Sequence, residues 1–273
     1  MKVFLDGKWL TLDKARAPID EPGFLYAQGV FETMRADNEK IFRLEAHLER
    51  LTNSSKLVKI SLGYSKAQLK DIIERTVSLN NYSCLCLRLT VWQGLNKAHI
   101  SVISRKYRPY PQKKYISGFK AIFSSITQNE TNFLANIKAS ARLHFLLAEE
   151  EAKSRGMDEA ILLNTKGDIA EGARSNIFLV KDGALHTPDK ESGPLLGITR
   201  NAVLDIAKDL KIKTYERKIK PSELFSADEA FLTNSLIGIM PLPDVEKKKI
   251  GSGKIGRLTA DFAKRYQENL KKG

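Results

Sequence analysis

The amino-acid sequence predicts a mixed α/β protein with two domains. Its 273 residues exceed the roughly 100–150 residues of a typical single domain. Strand-like and helix-like segments alternate along the first third of the chain. A stretch rich in proline and tyrosine, at about residues 106–118, is typical of a linker. We therefore expect a small N-terminal domain over residues 1–115 and a larger C-terminal domain over residues 116–273.

The N-terminal domain should contain a hairpin, further strands and amphipathic helices. The hairpin is expected around Asp6-Gly7, because this pair favours a tight turn. Ser65, with Gln68 three residues later, is a capping-box signature for a helix start. The spacing of apolar residues predicts helices over residues 44–58 and 65–79 and strands over residues 29–35, 85–92 and 99–105.

The C-terminal domain should contain strands on both sides of Glu171. The strand candidates nearest to it are residues 159–163 and 177–180. A long helix over residues 141–155 should end at Gly156, which suits a helix C-cap. The remaining apolar patterns predict strands over residues 119–126 and 229–233 and helices over residues 200–211 and 254–270.

The composition is that of a globular protein with an excess of basic residues. Hydrophobic residues make up 42% and charged residues 28% of the chain. The net charge is +13, but lysines and arginines are scattered without interleaved aromatic residues. This pattern favours basic surface loops or a site for anionic substrates over nucleic-acid recognition. Cys84 and Cys86 would form a poor disulfide and lack a second metal-binding pair, so we expect reduced thiols, no metal and a cytoplasmic location. With neither a signal-peptide stretch nor a run of about 18 apolar residues, no membrane span is expected.

Several candidate functional residues share one chemistry. Lys138 lies at a strand-to-helix transition, where a buried lysine can act as a nucleophile. Gly197-Ile198-Thr199 precedes a helix, Arg50 offers a guanidinium group and Ser235 a hydroxyl, all of which suit a phosphate. Glu171, beside buried sheet, needs a cationic partner such as a protonated ring. Together these groups meet the requirements of pyridoxal 5′-phosphate.

The order and spacing of these residues resemble the class IV aminotransferases, also called fold-type IV pyridoxal-phosphate enzymes. The resemblance spans nearly the whole chain and is carried by residues 29–35, 42–51, 158–162, 171–178 and 197–200. It implies a fold like that of D-amino-acid aminotransferases, with a barrel-like sheet in the larger domain. It also implies a homodimer that acts on small amino or carboxylate substrates.

The resemblance assigns roles to individual positions. Lys138 corresponds to the lysine that bonds to the cofactor and transfers protons, and Glu171 to the glutamate at the pyridine nitrogen. Arg50 corresponds to the phosphate-binding arginine. The expected cofactor site comprises Arg50, Lys138, Glu171, Ser175, Asn176, Ile198, Thr199 and Ser235. The expected substrate site comprises Phe31, Lys97, His99, Arg174, Leu236 and Ile237.

Three of these substrate residues rest on specific similarities to the family. Lys97 and His99 resemble an Arg-x-His pair that holds the substrate carboxylate in D-amino-acid transaminases, although a solvated histidine at the end of a loop is an equal alternative. Arg174, next to Glu171, is another candidate for the carboxylate.

The choice of reaction leans to 4-amino-4-deoxychorismate lyase, which releases 4-aminobenzoate and pyruvate for folate biosynthesis. Asn234-Ser235-Leu236, Arg142 and the methionine at position 157, where branched-chain enzymes have a tyrosine, are similar to the lyases. The alternative is a branched-chain or D-amino-acid transaminase. A non-catalytic or nucleic-acid-binding protein on the same fold is a weaker alternative, because Lys138 and Glu171 are both present.

Overall fold

The computed structural model describes residues 1–272, and the chain forms two compact units. The first unit comprises Met1–Arg108, Ile137–Ala141 and residues 270–272. The second comprises Pro109–Asn136 and Arg142–Asn269. The chain leaves the first unit after Arg108, inside the linker expected at residues 106–118. It returns to the first unit at Ile137–Ala141, a return that the expected division into residues 1–115 and 116–273 does not include. That return depends on long-range backbone pairing, which local sequence patterns do not reveal.

The first unit is built on a six-stranded antiparallel sheet. Its elements are, in chain order, β1 (Lys2–Leu5), β2 (Lys8–Thr11), α1 (Pro22–Leu25), β3 (Gly29–Asp37), β4 (Lys40–Ile41), α2 (Leu44–Leu57), α3 (Lys66–Ser78), β5 (Cys84–Gln93) and β6 (Ala98–Lys106). The strands lie in the order β2-β1-β6-β5-β3-β4. Alternate residues of the central strands face α2 and α3, so one side of the sheet is buried under these helices.

Local chemistry explains how the elements of the first unit begin and end. Asp6 and Gly7 adopt positive φ angles of 45° and 87° and close the hairpin of β1 and β2. At the start of α3, the N–H of Gln68 donates to Ser65 Oγ and the N–H of Ser65 donates to Gln68 Oε1. The core beneath the helices contains Leu48, Leu51, Leu69, Ile73, Leu85, Leu87, Leu89 and Val91.

The second unit contains two five-stranded sheets. Its elements are α4 (Gln112–Ser117), β7 (Lys120–Phe123), α5 (Leu143–Ser154), β8 (Glu159–Leu163), β9 (Ile169–Gly172), β10 (Asn176–Lys181), β11 (Ala184–Pro188), α6 (Ile198–Asp209), β12 (Thr214–Arg217), α7 (Pro221–Ser226), β13 (Glu229–Asn234), β14 (Gly238–Pro241), β15 (Asp244–Val245), β16 (Lys248–Lys249) and most of α8 (Arg257–Lys272). The sheets have the orders β12-β11-β10-β13-β14 and β16-β15-β7-β8-β9. The barrel-like sheet expected from the sequence takes the form of these two sheets, which share an apolar core that includes Ala121, Ile161, Ile177, Leu179, Leu232 and Met240.

The predicted strands and helices are present, with their ends shifted by a few residues. Helix α6 begins at Ile198, so Ile198 and Thr199 belong to its first turn, which the prediction began at Arg200. Short elements such as β9 were not predicted, because Ile169–Gly172 contains a glutamate and a glycine and lacks a clear alternation. Within residues 1–272, no helix is both long enough and apolar enough to span a bilayer.

Candidate active site

The segment that carries Lys138 is attached to the open edge of β3. The N–H of Phe31 donates to the carbonyl oxygen of Lys138 at 3.0 Å, and the N–H of Ser140 donates to the carbonyl oxygen of Gly29 at 2.8 Å. Val30 and Ala139 form an antiparallel bridge between these bonds. A Cβ at Gly29 would lie 3.0 Å from Ser140 Oγ, so glycine permits the close approach. Lys138 is therefore positioned by sheet hydrogen bonds.

Two cations lie against the ring of Phe31, a buried residue of β3. Lys138 Nζ is 4.8 Å from the ring centroid, and the guanidinium carbon of Arg88 is 3.4 Å from it. Arg88 lies on β5, opposite Thr33 of β3. Arg88 was not among the predicted site residues. The alternation of β5 places it on the half-buried face with Cys86, but its approach to Phe31 depends on the register of β3 and β5.

Arg50 is paired with a buried carboxylate that the sequence analysis also missed. Arg50 Nε donates to Glu32 Oε1 at 2.7 Å, and Arg50 Nη2 donates to Glu32 Oε2 at 2.6 Å. His47 Nδ1 lies 2.7 Å from Glu32 Oε2. Glu32 is on the helix-facing side of β3, where an ionised side chain requires partners. We refer to Glu32, His47 and Arg50 as the Glu32 cluster.

The proton affinities in the Glu32 cluster follow from burial and charge. Burial opposes ionisation of Glu32, but the hydrogen bonds and charges of Arg50 and His47 outweigh it and lower the pKa of Glu32 from its ordinary 4.5 to about 2. Burial, aided by the positive charges of Arg50 and Lys138, lowers the pKa of His47 below its ordinary 6.5 against the opposing effect of Glu32. His47 is therefore neutral at pH 7, and its Nδ1 donates to the ionised Glu32.

Lys97 and His99 do not form an open carboxylate-binding pair in the structure. Lys97 is exposed in the turn between β5 and β6. His99 Nδ1 lies 2.5 Å from Asp6 Oδ2, its Nε2 lies 3.0 Å from Glu21 Oε2, and its ring stacks on Trp92. Burial opposes protonation of His99, but the hydrogen bonds and charges of Asp6 and Glu21 outweigh it and raise the pKa of His99. Both ring nitrogens of His99 are thus in contact with carboxylates of the protein.

Glu171 lies on β9, immediately before a tight turn. We call residues Gly172–Ser175 the Glu171 turn. The N–H of Gly172 donates to the carbonyl oxygen of Ser175 at 2.7 Å. Ser175 Oγ donates to the buried Glu159 Oε2 at 2.9 Å, and Arg142 Nη2 donates to the carbonyl oxygen of Ala173 at 3.0 Å. Burial lowers the pKa of Arg142, whereas the nearby charge of Glu171 acts in the opposite direction. Arg142 is therefore a cation close to the buried Glu171 carboxylate.

Arg174, the cation that the sequence analysis favoured for a substrate carboxylate, contacts the protein itself. Its Nη1 lies 3.2 Å from Glu149 Oε1, and its Nη2 donates to the carbonyl oxygen of Asp158 at 3.1 Å. The side chain is 39% exposed. Arg174 therefore has a surface ion pair and a backbone contact, as an ordinary structural arginine has.

Two buried hydroxyl groups lie near the N-terminus of α6. The side-chain oxygens of Thr199 and Thr233 are buried, and neither has a hydrogen-bond partner among the described residues. Asn176 pairs with Thr233 across β10 and β13, and a Cβ at Gly197 would clash with Asn176 Oδ1. The glycine therefore lets the first turn of α6 approach the strand ends closely. Free hydroxyls beside the N-terminal amides of a helix fit the phosphate group of pyridoxal phosphate.

The loop after β13 contains the other residues assigned to the site. Ser235 and Leu236 are half-buried, and Ile237 belongs to the apolar core. Asn234 Oδ1 accepts hydrogen bonds from the N–H groups of Leu236 and Ile237, each at 2.9 Å. Asn176, at the neighbouring strand end, donates through Nδ2 to the carbonyl oxygen of Leu195 at 2.6 Å. The second unit thus gathers Glu171, Ser175, Asn176, Ile198, Thr199 and Ser235 around connected strand ends.

Comparisons with known proteins identify the family of the chain. A family model described as amino-transferase class IV matches residues 29–245. The chain is 31% identical to a branched-chain-amino-acid aminotransferase of Pseudomonas aeruginosa, covering 97% of this chain and 91% of that protein. It is 28% identical to a D-alanine aminotransferase of Listeria monocytogenes, covering 99% and 96%. The structure of the Thermobaculum terrenum branched-chain amino acid aminotransferase in its PLP form superposes with a TM-score of 0.89 at 27% identity, covering 98% and 93%.

Proposed function

Because the chain belongs to the class IV aminotransferase family, we propose that it transfers amino groups between branched-chain amino acids and 2-oxo acids. It is a pyridoxal-phosphate-dependent enzyme with the fold-type IV architecture. The observation that carries the proposed substrate is the 31% identity to the P. aeruginosa enzyme over 97% of this chain. The buried aromatic ring of Phe31 beside Lys138 supports it, because an aliphatic side chain can pack against such a ring.

A D-amino-acid transaminase is the second candidate, supported by the similarity to the L. monocytogenes D-alanine aminotransferase. The expectation of an aminodeoxychorismate lyase is corrected, since these relatives favour the transaminase alternative. The residues that resemble those of the lyases make structural contacts of their own. Asn234 organises a loop, Arg142 binds a turn carbonyl, and Met157 packs against an apolar cluster. A role in folate biosynthesis loses its support with them.

The residues of this chain divide the chemistry as follows. When bound, pyridoxal phosphate supplies an electron sink for the negative charge that develops at the substrate Cα. Lys138 Nζ would hold the cofactor and move the proton at the substrate Cα. Glu171 would hold the proton at the pyridine nitrogen. The Thr199 hydroxyl and the first amides of α6 would bind the phosphate group. The assignment of Arg50, which Glu32 orients, to a phosphate contact rests on the family resemblance.

His99 and Arg174, the sequence-based candidates for the substrate carboxylate, contact carboxylates of the protein. Arg88 is our candidate, because its guanidinium group lies against the same Phe31 ring as Lys138 Nζ. A homodimer is also part of the proposal. It is supported by three exposed apolar residues in and after α1, namely Phe24, Leu25 and Tyr26, a patch of the kind that partners cover.

The test is a substrate panel with the cofactor-loaded protein. L-leucine, L-valine and D-alanine are each offered with 2-oxoglutarate, and aminodeoxychorismate is offered alone. We expect the fastest amino transfer from the L-branched amino acids. Faster transfer from D-alanine would support the second candidate, whereas rapid 4-aminobenzoate release without amino transfer would overturn both.

Three variants accompany the panel. Lys138→Ala should have no turnover, whereas Lys113→Ala, which changes an exposed lysine of α4, should match the wild type. Arg88→Gln should raise KM by about tenfold with a smaller change in kcat, as loss of a charged binding contact does. An unchanged KM would remove Arg88 from the site, and a monomeric mass by light scattering would remove the homodimer.

A further inference from the structure

The geometry points to Asn234 as a positioning residue that couples the loop of Ser235 to the Glu171 turn. This inference rests on the proposed function, in which Glu171 holds the pyridine proton and the α6 end of the site binds the phosphate. Asn234 is the last residue of β13, so its side chain stands between the strand and the loop that follows it. Neither the family model match nor the sequence pattern assigns it this task.

Both ends of the Asn234 amide are used. Oδ1 accepts from the N–H groups of Leu236 and Ile237 and closes the loop that contains Ser235. Nδ2 donates to the carbonyl oxygen of Arg174 at 3.0 Å, inside the Glu171 turn. Two N–H groups face one side of the amide and a carbonyl oxygen faces the other. The first side must therefore be the oxygen and the second the NH₂ group. One side chain therefore joins two loops that the proposed function uses.

The Glu171 turn is held on its other sides by side chains of the same unit. Arg142 donates to the carbonyl oxygen of Ala173, and Ser175 donates to Glu159. The N–H of Ala173 donates to the carbonyl oxygen of Ala160 in β8. Asn234 supplies the contact from the β13 side. Together with the pairing of Asn176 and Thr233 in β10 and β13, it therefore links the Ser235 loop to the turn that follows Glu171.

Only an amide of this length does both tasks. Aspartate keeps the acceptor for Leu236 and Ile237 but has no donor for the carbonyl of Arg174, against which it would place a negative charge. Serine accepts weakly from the following amides and is too short to reach Arg174. Asn234→Asp thus preserves the loop and releases the turn, and Asn234→Ser removes the same contact without adding charge.

Asn164 provides a matched control in the hairpin of β8 and β9. Its Oδ1 also accepts from two following N–H groups, those of Lys166 and Asp168, and its Nδ2 donates to the carbonyl oxygen of Ser192. This hairpin loop lies at the opposite end of β9 from the Glu171 turn. Asn164→Asp therefore makes the same chemical change away from the proposed site.

The experiment measures amide hydrogen exchange of the cofactor-free protein and then the loaded enzyme. We expect Asn234→Asp and Asn234→Ser to raise exchange of residues 172–176 by about tenfold, with residues 159–163 unchanged. In the loaded enzyme, kcat should fall by about tenfold, while the dissociation constant of pyridoxal phosphate changes by less than about threefold. Asn164→Asp should leave exchange at residues 172–176 and kcat at the wild-type values.

Two results would overturn the coupling. Wild-type exchange at residues 172–176 in both Asn234 variants would show that the contact does not hold the turn. Raised exchange throughout the second unit, with cofactor affinity and kcat lost together, would make Asn234 a merely structural residue. The exchange contrast does not depend on turnover, so a failure of the substrate panel would refute the proposed function and leave this measurement able to test the coupling.

Discussion

The two units hold their candidate functional groups by different physical means. In the first unit, the Glu32 cluster orients Arg50 through a buried carboxylate that two side chains share. In the second unit, the Glu171 turn is fixed by hydrogen bonds to several of its own backbone and side-chain groups. An arrangement of few buried charges depends strongly on each partner and on pH, whereas loss of one hydrogen bond from a distributed set leaves the others in place and costs about 1 kcal/mol.

The largest loss of stability is expected when the Glu32 cluster is changed. Glu32→Gln keeps the shape but leaves the guanidinium of Arg50, which is 15% exposed, without its anion. Removal of one partner of a buried ion pair should lower the free energy of unfolding by about 3 kcal/mol. Urea unfolding of the cofactor-free protein measures this change.

Glu49→Gln is the matched control. Glu49 lies next to Arg50 on α2 and forms an exposed ion pair with Lys66. It should cost less than about 1 kcal/mol. If the two variants lose equal stability, the contrast between the buried cluster and an ordinary surface pair does not exist.

The second prediction concerns pH. The pKa of Glu32 is lowered from 4.5 to about 2, so its ionised form adds stability that is complete above pH 4.5 and is lost as the pH falls towards 2. The lowered pKa of His47 acts with the same sign, and its contribution declines as the pH falls below 6.5. Between pH 5 and 3, wild-type stability should therefore fall more steeply than that of Glu32→Gln, by about 2 kcal/mol in total. Parallel curves for the two proteins would contradict the assignment of this titration to Glu32.

The smallest loss of stability should follow from a change in the Glu171 turn. Ser175→Ala removes the hydroxyl that donates to Glu159, whose pKa is raised by burial. The loss should be about 1 kcal/mol by urea unfolding, because the turn keeps its other hydrogen bonds. Ser117→Ala, which changes an exposed hydroxyl 3.4 Å from the carbonyl oxygen of Lys114, should have no measurable effect. A loss as large as that of Glu32→Gln would mean that the turn is not held by distributed contacts.

The sequence predicted what local patterns encode. The capping box of Ser65 and Gln68, the hairpin at Asp6-Gly7 and the amphipathic helices all depend on neighbours within a few residues. Lys138 and Glu171 were selected from their residue types and predicted surroundings, and the family resemblance then assigned their roles. Their tertiary contacts were not predicted, since these depend on strands that pair across the fold.

The missed residues illustrate the limit of local patterns. Glu32 is one of several polar residues in β3, and its pairing becomes visible only when α2 brings Arg50 and His47 to it. Asn234 was read as a mark of the lyase reaction, whereas the structure gives it two loops to join. Arg174 and His99 were selected as free cations, but each contacts carboxylates from segments distant in the sequence.

The bridge between Ile137–Ala141 and β3 also bears on aggregation. Strand β4 pairs with β3 only at Ala36 and Asp37, so the edge at Gly29–Phe31 would otherwise expose an unpaired carbonyl and an unpaired N–H. Exposed strand edges are templates for pairing with other chains. The segment that carries Lys138 therefore also blocks strand addition, and a chain cut after Arg108 would lose the nucleophile and this protection together.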